Sequence, residues 1–173
     1  MTKIVEGKLT FIFSASWQAL KYDETSFYRR HFQKLGDSRC VDIVAFDSGA
    51  DTQLWLLEIK DYRINPRSKP EDLFLELARK VRDTLANLYL AERREEVDCY
   101  DFAQLASTKK NIRIVLHLEQ SKYRSKFSQP ILERDDAQIK LRQNKQIRVV
   151  DPHALICEIS DMPPQSKWRV TSK

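Results

Sequence analysis

Asp42, Glu58 and Lys60 are the side chains of this sequence in which chemistry and burial most clearly compete. Asp42 lies at the start of the apolar run Val41–Phe46, and Glu58 and Lys60 close the run that begins at Leu54. Side chains alternate along a strand, so Asp42, Val44 and Phe46 share a face, as do Leu56, Glu58 and Lys60. A carboxylate in a covered strand is costly unless it is paired or bound to a metal. Two carboxylates offer hard oxygen ligands to Mg²⁺, with Mn²⁺ as a substitute. A metal held there would offset charge developing on a phosphodiester and acidify a bound water. A lysine on the same face could orient that water or stabilise the transition state electrostatically. The set therefore suits metal-assisted phosphodiester hydrolysis. The plain alternative is a buried or edge salt bridge of Lys60 with Glu58 or Asp42.

The elements that must position these residues follow from the surrounding pattern. The two runs flank a polar turn, Asp47–Gln53, and read as a β-hairpin. Lys8–Ser14 is expected to be a first strand, and Trp17 to Leu35 a helix stopped by Gly36. On that helix Glu24 falls in line with Tyr28, His31 or Phe32, and Leu35, either as part of the site or as an ordinary first-turn acid. After the basic connection Asp61–Lys69, the capping box Ser68–Glu71 opens the longest helix, about Pro70 to Arg94, with Phe74, Leu77, Ala78, Val81, Leu85 and Leu88 as its stripe. Arg79, Lys80 and Arg82 crowd its middle, and at least two of them are expected on a solvated face. Beyond a helical turn near Tyr100–Leu105, Asn111–Glu119 alternates as a strand. A basic loop, Ser121–Lys126, precedes a helix over Phe127–Asn144 that is broken or begun at Pro130, a last strand over Gln146–Val150 and a short helix over His153–Ile159. This order predicts an α/β (α+β) fold with a mixed central sheet flanked by helices. Residues 1–160 are expected to form one domain, and 161–173 a Pro-rich basic tail whose large apolar anchor is Trp168.

Composition removes several other chemistries. The 173 residues are 42% hydrophobic and 32% charged, a balance that suits a folded globular domain. Cys40, Cys99 and Cys157 are odd in number and far apart, which argues against a disulfide framework or a zinc ribbon. His31, His117 and His153 are equally scattered and are expected at the surface or an interface. With three glycines, neither a dinucleotide fingerprint nor a phosphate-cradling loop can be written. No apolar run reaches the roughly 20 residues of a membrane span, so a cytoplasmic protein is expected. A net charge of +5 is compatible with nucleic-acid binding.

Asp42, fifteen intervening residues, and then Glu58-Ile59-Lys60 resemble the motif of the PD-(D/E)xK nuclease superfamily, with its restriction-endonuclease-like αβββαβ core. The resemblance implies a Mg²⁺-dependent DNA endonuclease, with Asp42 and Glu58 as metal ligands, Lys60 as the catalytic lysine and Glu24 (or Asp23) as a helix-borne acid. Val41 stands where the family name has proline, and no glutamine-x-x-x-tyrosine pattern follows the lysine. Tyr62, Arg63, Arg79, Lys80 and Arg82 are the candidates for phosphate contact. DNA is expected ahead of RNA as partner, with a homodimer or a place in a larger complex both open. The alternative is a catalytically silent, nuclease-like subunit that binds nucleic acid or a protein.

Overall fold

In the computed structural model, which describes residues 1–49, 51–64, 72–120, 133–164 and 166–173, the hairpin is the centre of the molecule. Its strands are β4 (Ile43–Asp47) and β5 (Gln53–Tyr62), paired antiparallel with Val44 opposite Leu56 and Ile43 opposite Leu57. Every residue of β4 is buried. Around the hairpin runs a five-stranded sheet in the order β3-β4-β5-β6-β7, where β3 is Trp17–Lys21, β6 Asn111–Gln120 and β7 Leu155–Cys157. β3 is antiparallel to β4, whereas β6 and β7 continue parallel to β5. The long helix α1 (Leu73–Ala91) and α2 (Tyr100–Ser107) make the crossover from β5 to β6. Helices α3 (Arg134–Gln143) and α4 (Lys145–Val150) lie between β6 and β7. The architecture is a mixed α+β fold.

Both faces of the sheet are covered, which is why both hairpin strands carry apolar residues on both faces. One core gathers Val44, Phe46, Leu54, Leu56, Ile114 and Leu116 under the α1 residues Phe74, Leu77 and Val81. The other gathers Ile43, Trp55, Leu57, Ile59 and Val115 under a second sheet of three strands, β1-β2-β8. Here β1 is Thr2–Glu6, β2 Leu9–Phe13 and β8 Trp168–Ser172, both outer strands pairing antiparallel with β2. Trp168 sits 5.1 Å from Trp55 and 5.5 Å from Trp17, ring centre to ring centre. The residues expected as a tail thus close one of the two cores.

Several expected elements are corrected. Trp17–Lys21 is a strand rather than the start of a helix, because it pairs along the edge of β4 and drops Trp17 into the aromatic cluster. Only a 3₁₀ turn (Tyr22–Glu24) and a π-helical turn (Tyr28–Phe32) remain of that helix. The strand expected at Gln146–Val150 is α4, capped by Asn144, whose side chain accepts from the Gln146 and Ile147 N–H groups. The helix expected at His153–Ile159 instead contributes β7, which extends the sheet beyond β6. The cap of α1 is Asp72, accepting from Phe74 and Leu75. The capping box Ser68–Glu71 and the basic loop Ser121–Lys126 lie outside the described residues.

Candidate functional site

Extrapolating the hairpin register by one pair sets Asp42 opposite Glu58, and both face α1. The helix supplies two further members, Glu76 and Lys80, one turn apart on its inner side. Together they form a string of alternating charge. The Lys80 ammonium is 2.7 and 2.9 Å from the two Glu58 oxygens and 3.7 Å from Asp42 Oδ1. The Lys60 ammonium is 2.5 Å from Glu58 Oε1 and 3.5 Å from Glu76 Oε1. Asp42, Lys80, Glu58, Lys60 and Glu76 therefore alternate in sign across the interface of strand and helix. Glu58 and Glu76 are almost sealed, and the side chains of Lys60 (16% exposed) and Lys80 (13%) provide its opening to solvent.

Local structure holds the string in place. Asp42 Oδ2 accepts from the Ile59 N–H at 2.6 Å, tying the two strands beside Glu58. Thr84, one turn beyond Lys80 and fully buried, accepts from the Val41 N–H at 2.9 Å and donates to the Lys80 carbonyl at 2.7 Å. Asp83 accepts from the Arg39 N–H at 3.1 Å. The chain entering β4 is thus bonded to the same helical turn that carries Lys80.

Burial and charge set the protonation. Burial, reinforced by Glu58 and opposed by Lys80, pushes the Asp42 carboxyl up to about 7. Burial works against both ammonium groups, but the neighbouring carboxylates, Glu58 foremost, outweigh it and raise Lys60 and Lys80 above the ordinary lysine value. With all five groups ionised the string carries one excess negative charge, and Asp42 is the place where a proton can neutralise it near neutral pH.

These residues do not fit the metal that the motif implies. The point between Asp42 and Glu58, where a bridging cation would sit, is held by the Lys80 ammonium. The second oxygen of Asp42 is taken by Ile59. Among the described residues no cluster of three or more histidine, cysteine, aspartate or glutamate side chains is arranged to hold a metal ion.

The other expected site residues part company. Glu24 is exposed and pairs with Lys21 at 2.9 Å and Arg29 at 3.6 Å, with Lys21 holding its carboxyl below the usual range. Its neighbour Asp23 lies closer to the site: burial raises its carboxyl, and Lys80 is among the charges that act on it. Arg63 grips Asp61 through two nitrogens and donates to the Ser172 hydroxyl, on the side of the three-stranded sheet. Tyr62 packs against the α1 core instead. Arg79 and Arg82 are on the outer face of α1, while Lys80 turns inward. The five phosphate-contact candidates thus do not make one surface. His117, expected near the surface or an interface, is fully buried, with Nε2 3.0 Å from Glu119.

Glu76 was not singled out by the sequence reading, although the signal was present. Glu76, Lys80, Thr84 and Asn87 recur at steps of four and three along an apolar helix, and three of them are buried at 1% exposure or less. A polar stripe inside a buried face needs partners. Lys80 meets the hairpin carboxylates, Glu76 the Lys60 ammonium and Thr84 the backbone before β4, while Asn87 donates to the Asp83 carbonyl of the helix itself.

The fold and site define a two-sheet α+β domain built on a buried, internally compensated charge string. No family model and no solved structure matches this chain. Over 160 residues it is 37% identical to a cysteine–tRNA ligase of Neisseria meningitidis (serogroup A, serotype 4A), an alignment covering 73% of this chain and 22% of the ligase. The chain therefore spans about a fifth of that relative's length. This likeness to part of a tRNA ligase overturns the expectation of a DNA-cleaving, magnesium-dependent endonuclease. Among the described residues no helix is long and apolar enough to cross a membrane.

Proposed function

We propose that this chain is a tRNA-directed module of an aminoacyl-tRNA ligase-type enzyme, and that its task there is to engage the RNA. The observation that carries this reading is the 37% identity to part of a cysteine–tRNA ligase. A surface of suitable chemistry supports it. Arg79, Arg82, Ala86, Tyr89 and Arg93 follow one another at steps of three and four, and all are exposed. The Arg93 guanidinium stacks over the Tyr89 ring at 3.6 Å. In this strip Arg82 is paired with Asp83 and Arg93 with Glu92, so a phosphate backbone would bind by taking over from those carboxylates, with the Tyr89 ring beside them for an unstacked base. In this reading the charge string is the internal brace that fixes α1 on the sheet, so that the outer face of the helix is presented rigidly. The aminoacylation chemistry belongs to the larger protein of which such a module is one part.

Fluorescence anisotropy with the full chain tests this. A cysteine tRNA transcript is expected to bind about tenfold more tightly, roughly 1.4 kcal/mol, than duplex DNA of equal charge or an unrelated RNA hairpin. Between about 50 and 200 mM salt, replacing Arg79 and Arg82 by alanine should reduce the logarithmic salt slope by about 2. Equal binding of all three nucleic acids, or none of tRNA, would refute the proposal.

A further inference from the structure

We infer that the cleft between the π-helical turn and the middle of α1 is a pocket for one unstacked guanine of a bound RNA. The inference rests on the RNA reading above and names the base that such a module would hold.

The cleft has a volume of about 290 Å³ and opens beside Arg82 and Ala86 of the cationic strip. Phe32, Leu35 and Ala86 supply its apolar lining, with Leu35 left 67% exposed. Phe32 is set edge-on against Phe27, ring centres 5.3 Å apart, so the lining does not depend on a ligand for its shape. Gly36, at φ 70°, turns the chain after the π-helical turn, and Asp37 and Ser38 then reach the cleft. A flat ring gains by covering such apolar surface.

The polar groups decide which ring. They are mostly acceptors. Asp37 makes no hydrogen bond or ion pair among the described residues. Asp83 is already engaged, with Oδ2 accepting from the Arg39 N–H and Oδ1 from Arg82. Asn87, fully buried, donates through Nδ2 to the Asp83 carbonyl at 2.7 Å, and its Oδ1 meets no donor among the described residues. The cleft therefore carries one free carboxylate and one unmet acceptor, with the Arg82 guanidinium at its edge for a phosphate. Guanine presents two adjacent donors, N1–H and the 2-amino group, which a carboxylate accepts as a pair. Adenine and cytosine set a lone pair beside their amino group, and uracil sets its N–H between two carbonyls, so each turns an acceptor toward Asp37.

Fluorescence anisotropy of the full chain with short single-stranded RNAs tests this. A uridine run with one central guanine should bind at least about tenfold more tightly than runs carrying adenine, cytosine or uridine there. Inosine, which lacks the 2-amino group, should lose most of the gain. Asp37→Asn should erase the preference while leaving the affinity for the plain uridine run unchanged. Arg82→Ala should weaken every oligonucleotide by a similar factor. Binding without a guanine preference, or a preference that survives Asp37→Asn, would overturn the pocket and leave the RNA reading standing. Failure to bind any of the RNAs would overturn both. Free 5′-GMP binding as tightly as the guanine oligonucleotide would make the ligand a free nucleotide and equally overturn the inference.

Discussion

Replacing Asp42 by asparagine should make the protein gain stability relative to wild type as the pH rises, opposite to the usual effect of a buried acid held by a cation. The Asp42 carboxyl is pushed from 3.8 to about 7, burial being the main cause and Glu58 the second. Below about pH 4 the folded and unfolded states both carry the proton, and Asp42 costs nothing. Between about pH 4 and 7 the folded state keeps a proton that the unfolded state has released, so raising the pH removes stability. Above about 7 the full cost is reached, about 4 kcal/mol for a displacement of roughly three pH units at 1.36 kcal/mol each. That value already contains the attraction of Lys80, which acts in the other direction. Asparagine keeps an acceptor for the Ile59 N–H, bonded at 2.6 Å in the wild type, and cannot ionise. Urea unfolding of both proteins at about pH 5 and about pH 8 should show Asp42→Asn gaining roughly 2–3 kcal/mol on wild type between the two. A stability difference that stays the same at both pH values, or moves against the variant as the pH rises, would show that Asp42 is ionised in the fold throughout and that the string is neutralised elsewhere.

Glu58→Ala leaves Lys60 and Lys80 facing each other without the carboxylate both contact, and should destabilise the fold by about 3–5 kcal/mol in urea titrations at neutral pH. A loss below about 1 kcal/mol would mean that water already screens the pair as it does at a surface. Trp168→Ala should cost about 3–5 kcal/mol by opening a cavity beside Trp17, Trp55 and Phe13, with a red shift of the remaining tryptophan emission. An unchanged midpoint and spectrum would place β8 outside the cooperative fold.

How much of this was legible in the sequence depends on the range of the forces involved. The hairpin, β6 and most of α1 announce themselves locally, through alternation, helical stripes and the turn at Gly49. The facing of Asp42, Glu58 and Lys60 followed from strand alternation once the hairpin was recognised. β3 did not, because what makes Trp17–Lys21 a strand is an edge of β4 more than twenty residues away. β8 depends on a partner, β2, at the other end of the chain, and β7 is only three residues long. Of the charged residues on α1, the sequence grouped Arg79, Lys80 and Arg82 by proximity. Helical phase separates them, turning Lys80 into the site and the two arginines out to solvent. Function misled for a different reason: an acid pair with a lysine reads as metal chemistry, and only α1 reveals that a second lysine stands at the metal's point.

The pairing of β8 with β2 also has a bearing on how the chain assembles. The elements from β3 through β6 pair largely in sequence, so β3, the hairpin, α1 and β6 can come together while later residues are still being made. The opposite side cannot be completed then, since Trp168 and Val170 must close a loop of some 150 residues to reach Phe13 and Phe11. Until that happens Trp17 and Trp55 lack part of their cover, leaving an apolar surface of the kind that aggregates or recruits chaperones. β8 thus seals the second core, and Trp168 brings in the third of the indoles that line it.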